Sequence, residues 1–525
     1  MENGPRGEPH PQSAELAYAD LATLRRALDR GETTSVELTE TLLARIAAVD
    51  TAGPRLGAVL AVDAQALDRA RDRDAERERG AGHGPLHGIP VLIKDNIDTA
   101  GLASTAGSLV LALRPPVRDA MVVDALHKAG AVVLGKTNLS EWANFRSTHS
   151  TSGWSAVGGQ TRNPFALDRS PSGSSSGSGA AVAAGLAPLA VGTETDGSIL
   201  SPASVMGLVG MKPTVGLVSR SGVVPIAASQ DTPGPMARSV LDAATLLGVL
   251  AGADRADPAC ASRPTDLPGD YRAFCQPDGL VGARIGVPRT APNERARFRF
   301  SGYHVASDAL FAETIVAMGA AGASILEGVE VPGAEAEASA EDELVVLCHE
   351  FHDGADRYLA ARAEATDGGP RSLAEVIAYN CAHADVELAI FGQDLLERAA
   401  STGGLDAEDY RLARGRALEC SRAAGIDFAL DAQGLDALAV LTTAPAWCLD
   451  HVNGDVTLGA GYSIAAVAGY PSITVPIGLV HGLPVGLALL GRAWSEAVLL
   501  RLAAGLESAL GLTLRPGYRP ASTLA

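Results

Sequence analysis

Short apolar runs recur through this 525-residue chain, alternating with helical stretches. Ile89 to Ile93 reads as a buried strand, Met121 to Ala129 as a helix and Ala131 to Leu134 as another strand. Ala180 to Gly185 (helix), Ala187 to Gly192 (strand) and Ala237 to Leu250 (helix) continue the series. A strand apolar at successive positions is buried on both faces, so the pattern predicts an α/β sheet covered by helices on both sides. Ahead of this series, Thr34 and Glu37 are spaced as a capping box, and a charged helix is expected from about Ala64 to Arg79. Residues 254–433 read as helix-rich apart from a strand at Arg284 to Val287. The segment 434–525 returns to strands, at Ala437 to Leu441, Ser472 to Ile477 and Gly486 to Leu490, and closes with a helix from Ser495 to Leu510. With no linker in view, 13–525 is expected to be a single domain behind a polar, flexible tail at 1–12.

Residues 146–178 break the alternation, being crowded with Ser, Thr, Gly and Asn. A connection that long inside a packed domain is usually functional. Composition narrows the function further. Of 42 basic side chains only four are lysine (Lys94, Lys128, Lys136 and Lys212), and against 61 acidic residues the net charge is -19. With no basic run, nucleic acid and anionic membrane are not expected as partners. The most apolar stretch, Ala180 to Val191, is too short to span a bilayer and contains Gly185 and Pro188. Met1 to Pro5 lacks a basic segment leading into an apolar one, so a cytoplasmic protein is expected. The six cysteines form no C-x-x-C pair and sit at no zinc spacing with histidine, which points to structural thiols and to no metal or cofactor.

Two short motifs match formally and fail physically. Gly130 to Thr137 fits the phosphate-loop pattern, but Ala131 to Leu134 is an apolar strand whose N–H groups belong to a sheet. Gly173 to Gly177 fits the hydrolase elbow G-x-S-x-G with Ser175 as nucleophile. That elbow needs a strand before it, and Asn163 to Ser172 instead holds Pro164 and Pro171. His451 follows as a candidate base without a signature around it.

A larger constellation covers Lys94 at the end of a strand, the loop around Ser174, and the turn Gly192 to Ile199. The blocks PLHGIPVLIKDNID (Pro85 to Asp98), GAVVLGKTNLSEWA (Gly130 to Ala143), SPSGSSSGSGAAVAAG (Ser170 to Gly185), GTETDGSI (Gly192 to Ile199), GLVGMKPTVGLVSR (Gly207 to Arg220) and QDTPGPMAR (Gln230 to Arg238) resemble the amidase signature family. The resemblance covers a signature core at 85–238 and extends to the C-terminal half. It implies one large mixed, twisted sheet with a helix-rich, substrate-shaping region (254–433) beside an active-site cleft. It also implies a catalytic triad: Ser198 as nucleophile, Ser174 as a bridging serine on a cis peptide bond, and Lys94 as general base. Backbone N–H groups of Thr195, Asp196, Gly197 and Ser198 would form the oxyanion hole, with Ser172, Ser175 and Ser176 supporting the loop. Ser172 and Ser176 stand where glycine is commoner in the family. Glu194 replaces an aspartate, Asp196 a glycine and Leu200 a frequent arginine.

The chemistry fits the residue types. A serine hydroxyl is a weak nucleophile until a neighbour takes its proton, and arginine cannot do so because it stays charged. A buried lysine can lose its proton near neutrality; the adjacent Asp95 would oppose this if its carboxylate pointed inward. The blocks at Gly158 to Pro164, Ser229 to Val240, Arg371 to His383 and Phe391 to Leu396 are most similar to bacterial peptide amidases, which implies release of ammonia from C-terminal peptide amides by a monomer or homodimer. The alternatives are the glutaminase subunit of a tRNA-dependent amidotransferase, an amidase of small aliphatic or aryl amides, and a silent binding protein on the same scaffold.

Overall fold

The computed structural model describes residues 15–82, 84–288, 300–335 and 340–522. The tail expected at 1–12 lies outside the described residues. In chain order the strands are Val59–Val62 (β1), Pro90–Lys94 (β2), Val132–Thr137 (β3), Trp154–Ser155 (β4), Gly159–Gln160 (β5), Leu189–Glu194 (β6), Val209–Lys212 (β7), Thr232–Ala237 (β8), Arg284–Pro288 (β9), Ser324–Val329 (β10), Ala437–Leu441 (β11), Ser472–Val480 (β12) and Leu483–Leu490 (β13). All but the small β4-β5 hairpin join one 11-stranded sheet in the order β1-β3-β2-β6-β8-β7-β12-β13-β11-β9-β10. The sheet is mixed: β2 runs parallel to β3 and β6, while β8 is antiparallel to β6 and β12 to β13. Strands β2, β3, β6, β11 and β13 are buried at every position, the apolar runs and the polar ends of β2, β3 and β6 alike.

The capping box closes as expected: Glu37 N donates to Thr34 Oγ1 at 3.0 Å and Thr34 N to Glu37 Oε2 at 2.9 Å, ahead of the helix Ser35–Arg45. The charged helix is Ala66–Glu78. Six strands escape a reading of hydrophobic pattern: β1, the two-residue β4 and β5, and β7, β8 and β10. β8 carries Pro233 and Pro235, which ordinarily exclude a strand from a sheet interior. β7 runs beside only Ala237 and Met236, so both prolines meet an edge on that side. β7 has four residues, one of them glycine. β10 lies within the region read as helical and is largely exposed, with only Ile325 and Val329 turned to the core, too few to betray it. The middle region therefore supplies the two strands β9 and β10 at one edge of the sheet as well as helices.

A second apolar cluster beside the main core joins Trp142 and Phe145 to Phe351 of the long helix Ala340–Thr366. The Phe351 ring lies 6.1 Å from Trp142, edge on, and 5.0 Å from Phe145. Arg146 ties this cluster together without any access to solvent. It donates to Glu141 Oε1 at 2.6 Å, to the carbonyl of Phe391 at 2.9 Å and to that of Glu387. Removing a buried ion-pair partner leaves its carboxylates uncompensated. Arg146→Ala should therefore lower unfolding free energy by about 3–5 kcal/mol, measured by denaturant titration; a loss under about 1 kcal/mol, typical of a surface pair, would contradict this role.

Candidate active site

Lys94 closes β2, and Thr193 lies near the end of the parallel neighbour β6, so the two meet at the carboxyl ends of the strands. Crevices at that edge of an open α/β sheet are the usual place for ligands. Lys94 is fully buried. Its Nζ lies 2.7 Å from Ser174 Oγ, 2.9 Å from Thr193 Oγ1 and 3.2 Å from the Thr193 carbonyl. Burial holds the Lys94 ammonium well below its usual pKa; Glu194 and Asp231 oppose that shift. Asp95 does not, because it faces the other way. It accepts from Thr105 N at 2.9 Å and pairs with Lys136 at 3.6 Å.

Ser174 follows a cis peptide bond from Gly173. The flanking serines fix the loop on three sides. Ser172 and Ser201 share a hydroxyl bond of 2.8 Å, Ser176 Oγ donates to the Ser172 carbonyl at 2.6 Å, and Ser175 Oγ both donates to Thr193 O and accepts from Thr193 N. Ser175 is thus committed to the β6 backbone, not to a nucleophile elbow. Its own N–H donates to the Ser198 carbonyl at 3.1 Å, joining the loop to the turn that carries Ser198. The helix Ser176–Ala183 behind the loop packs so tightly that a Cβ on Gly177 would enter the backbone of Ala58 and Asn138.

The turn after β6 is anchored from below. Glu194 Oε2 accepts from Ile199 N at 2.7 Å and Leu200 N at 2.9 Å. Thr195 Oγ1 donates to Asp231 Oδ1 at 2.6 Å, and Asp231 Oδ2 also accepts from Ile226 N and Ala227 N. Burial pushes the Asp231 carboxyl up to about 6. Ser463 donates to the Asp196 carboxylate at 2.8 Å. Gly197 adopts φ +81° against the Tyr462 ring, where a side chain would collide. Among the departures from the family pattern in this turn, Glu194 holds the backbone, Leu200 is sealed in the core and Asp196 faces the cleft.

That cleft encloses about 200 Å³ and is lined by Ser172, Gly173, Thr195, Asp196, Ser198 and Ser201 from the two loops. Asn144, Leu347, Trp447, Asp455, Thr457 and Tyr462 contribute from elsewhere. Its charged lining residues are Asp196 and Asp455, with no basic side chain among the described residues that line it. Of the residues expected at the site from sequence, Ser172, Thr195, Asp196 and Ser198 line this cleft, whereas Lys94, Ser174, Ser175, Ser176 and Gly197 are not part of its lining. Sequence reasoning missed Asn96, Thr193, Asp231 and the lining from Trp447 to Tyr462; Asn96, Thr193 and Asp231 each lie inside one of the family blocks, and that was the only signal they carried. Of the formal motifs, the Gly173 to Gly177 loop is part of the site, and the others stay apart. Lys136 and Thr137 are buried in β3, and His451 bonds Gln160 at 2.8 Å at the surface. Among the described residues no group of His, Cys, Asp and Glu is arranged to hold a metal ion, and no disulfide joins any of the six cysteines.

The amidase family model matches residues 37–500. The chain belongs to the amidase family. The crystal structure of the peptide amidase from Stenotrophomonas maltophilia superposes with a TM-score of 0.88 at 49% identity, covering 96% of this chain and 99% of that one. A probable amidase of Arabidopsis thaliana is 38% identical over 96% of this chain and 92% of its own length. A glutamyl-tRNA(Gln) amidotransferase subunit of a Roseiflexus species is 39% identical over 93% of this chain and 95% of its own. This amidase is an enzyme that hydrolyses amides, and no helix among its described residues is long and apolar enough to cross a membrane.

Lys94 burial gives a direct expectation. With lysine labelled at Cε, one of the four lysine signals, assigned by its loss in Lys94→Arg, should titrate well below 10.5. Titration in the ordinary lysine range would contradict a buried amine.

Proposed function

We propose that this amidase is a serine hydrolase of C-terminal peptide amides, working through Ser198, Ser174 and Lys94. The observation that carries the reading is the 2.7 Å contact between Ser174 Oγ and a buried Lys94 Nζ whose proton affinity burial has lowered. Neutral Lys94 takes a proton from Ser174, Ser174 takes one from Ser198, and Ser198 Oγ attacks the amide carbon. The backbone N–H groups of Thr195, Asp196, Gly197 and Ser198 are the proposed oxyanion hole, where one lost donor costs on the order of 3–4 kcal/mol of barrier. The proton returns along the same path to the departing nitrogen, and water then opens the acyl-enzyme.

Two features favour peptide amides. The similarity to the Stenotrophomonas peptide amidase spans nearly the whole of both chains. The acidic cleft suits a neutral carboxamide and repels the carboxylate formed from it. The glutaminase reading is weaker on the same ground: free glutamine carries an α-carboxylate, and the cleft offers it no cation. Residues 13–525 are read as one domain, with the helices of 254–433 supporting the cleft wall at Trp142 to Phe145.

Lys94→Arg should abolish turnover while the protein stays folded, because a guanidinium cannot take the Ser174 proton. In the wild type kcat/KM should fall on the acid side, as Lys94 becomes protonated, and level off above its lowered pKa. A substrate panel should rank peptide amides above amino-acid and aryl amides. Near-wild-type rates in Lys94→Arg would defeat the relay; preference for small amides would defeat the substrate assignment.

A further inference from the structure

The loop that leads into β8 grips Thr195 twice. Asp231 accepts its hydroxyl, and the residue before Asp231 takes its carbonyl: Gln230 Nε2 donates to Thr195 O at 3.3 Å and to Glu343 Oε1 at 2.9 Å. Gln230 is buried. The direction of its amide is fixed, because a backbone carbonyl only accepts and the Gln230 atom against it must be the nitrogen. A primary amide carries two N–H groups, and these two acceptors take one each.

The peptide bond carries that grip to its other side. Among the described residues the one cis peptide bond is Gly173-Ser174, so the unit joining Thr195 to Asp196 is trans. In a trans unit the C=O and the following N–H lie in one plane and point in opposite directions. Fixing the Thr195 carbonyl therefore fixes the Asp196 N–H, turned away from Gln230. Thr195 and Asp196 line the cleft, and Gln230 lies outside that lining.

The grip is itself anchored on the long helix Ala340–Thr366. Glu343, Leu347 and Glu350 are spaced i, i+4 and i+7 and share one face of it. Glu343 holds Gln230, Glu350 Oε2 accepts from Ser229 N at 2.8 Å, and Leu347 between them lines the cleft. The helix that walls the cleft thus also braces the loop behind the turn.

We propose that Gln230, braced by Glu343, is a positioning residue that holds the Thr195 to Asp196 peptide so that the Asp196 N–H meets the oxyanion. This role rests on the reading of Ser198 as nucleophile with its oxyanion hole in the turn. A peptide released from Gln230 can rotate its N–H off the developing charge, whereas a donor fixed in advance needs no reorganisation as that charge forms. The loss therefore falls on the transition state and not on substrate binding.

Two variants of the full-length enzyme test the role, with kcat expressed per folded molecule. Gln230→Leu removes both bonds and should lower kcat about tenfold, the scale of one lost hydrogen bond, while KM stays within about twofold. A fall in kcat of less than about threefold, or a loss carried by KM alone, overturns the proposal. The exchanged pair, Gln230→Glu with Glu343→Gln, separates positioning from packing. It keeps an amide-to-carboxylate bond between loop and helix but sets an acceptor oxygen against the Thr195 carbonyl, so it should melt near the wild type and still be about tenfold slow in kcat. Wild-type kcat in the exchanged pair would reduce Gln230 to a packing residue and overturn the proposal. Ser198→Ala, measured alongside, keeps two failures apart. Turnover that survives there defeats the serine reading, while an inert Ser198→Ala beside a full-speed Gln230→Leu defeats the positioning role alone.

Discussion

The organisation of this amidase turns on one primary amine placed where water cannot reach it. Lys94 sits in a fully buried strand, and the sheet around it removes the solvation that would keep it charged. What remains for Nζ is a small set of oxygens, Ser174 Oγ and the two of Thr193, each at hydrogen-bonding distance. A charged lysine would demand a carboxylate at that range. Its nearest acidic neighbour in sequence, Asp95, is instead engaged by Lys136 and Thr105, so of the three buried lysines Lys136 takes the ion pair here and Lys94 the hydroxyls.

Around that amine the two loops form a single hydrogen-bonded unit. Ser175 clasps the end of β6 and holds the carbonyl of Ser198; Glu194 and Asp231 grip the turn from the side away from the cleft. The backbone N–H groups that would meet a developing oxyanion are thereby fixed in advance, and preorganised donors account for much of the rate in acyl transfer. The helix Ala340–Thr366 adds the far wall, through Leu347 in the cleft and the packing of Phe351 on Trp142 and Phe145.

Legibility in the sequence followed physical cause. Strands β2, β3, β6, β11 and β13 were readable because burial on both faces leaves a continuous apolar run. β8 was not, since its prolines are tolerated only through the short overlap with β7, a fact of topology. Lys94, Ser174 and Ser198 were legible through the resemblance of their blocks to a family, together with the scarcity of lysine. Thr193 and Asn96 lie in the same family blocks, but nothing in those blocks singles them out: each is an ordinary polar residue whose importance comes from an atom brought across the sheet. Trp447, Asp455 and Tyr462 reach the cleft from a segment more than 240 residues beyond Ser198, and no local pattern announces that journey.

The central claim is that the acyl group passes through Ser198 under the control of Lys94. Rapid acid quench of the enzyme turning over a peptide amide, followed by proteolysis and mass spectrometry, tests it most directly. The acyl mass should be found on the peptide containing Ser198 and be absent in Lys94→Arg. An acyl group on Ser175, or one that accumulates equally without Lys94, would contradict the account.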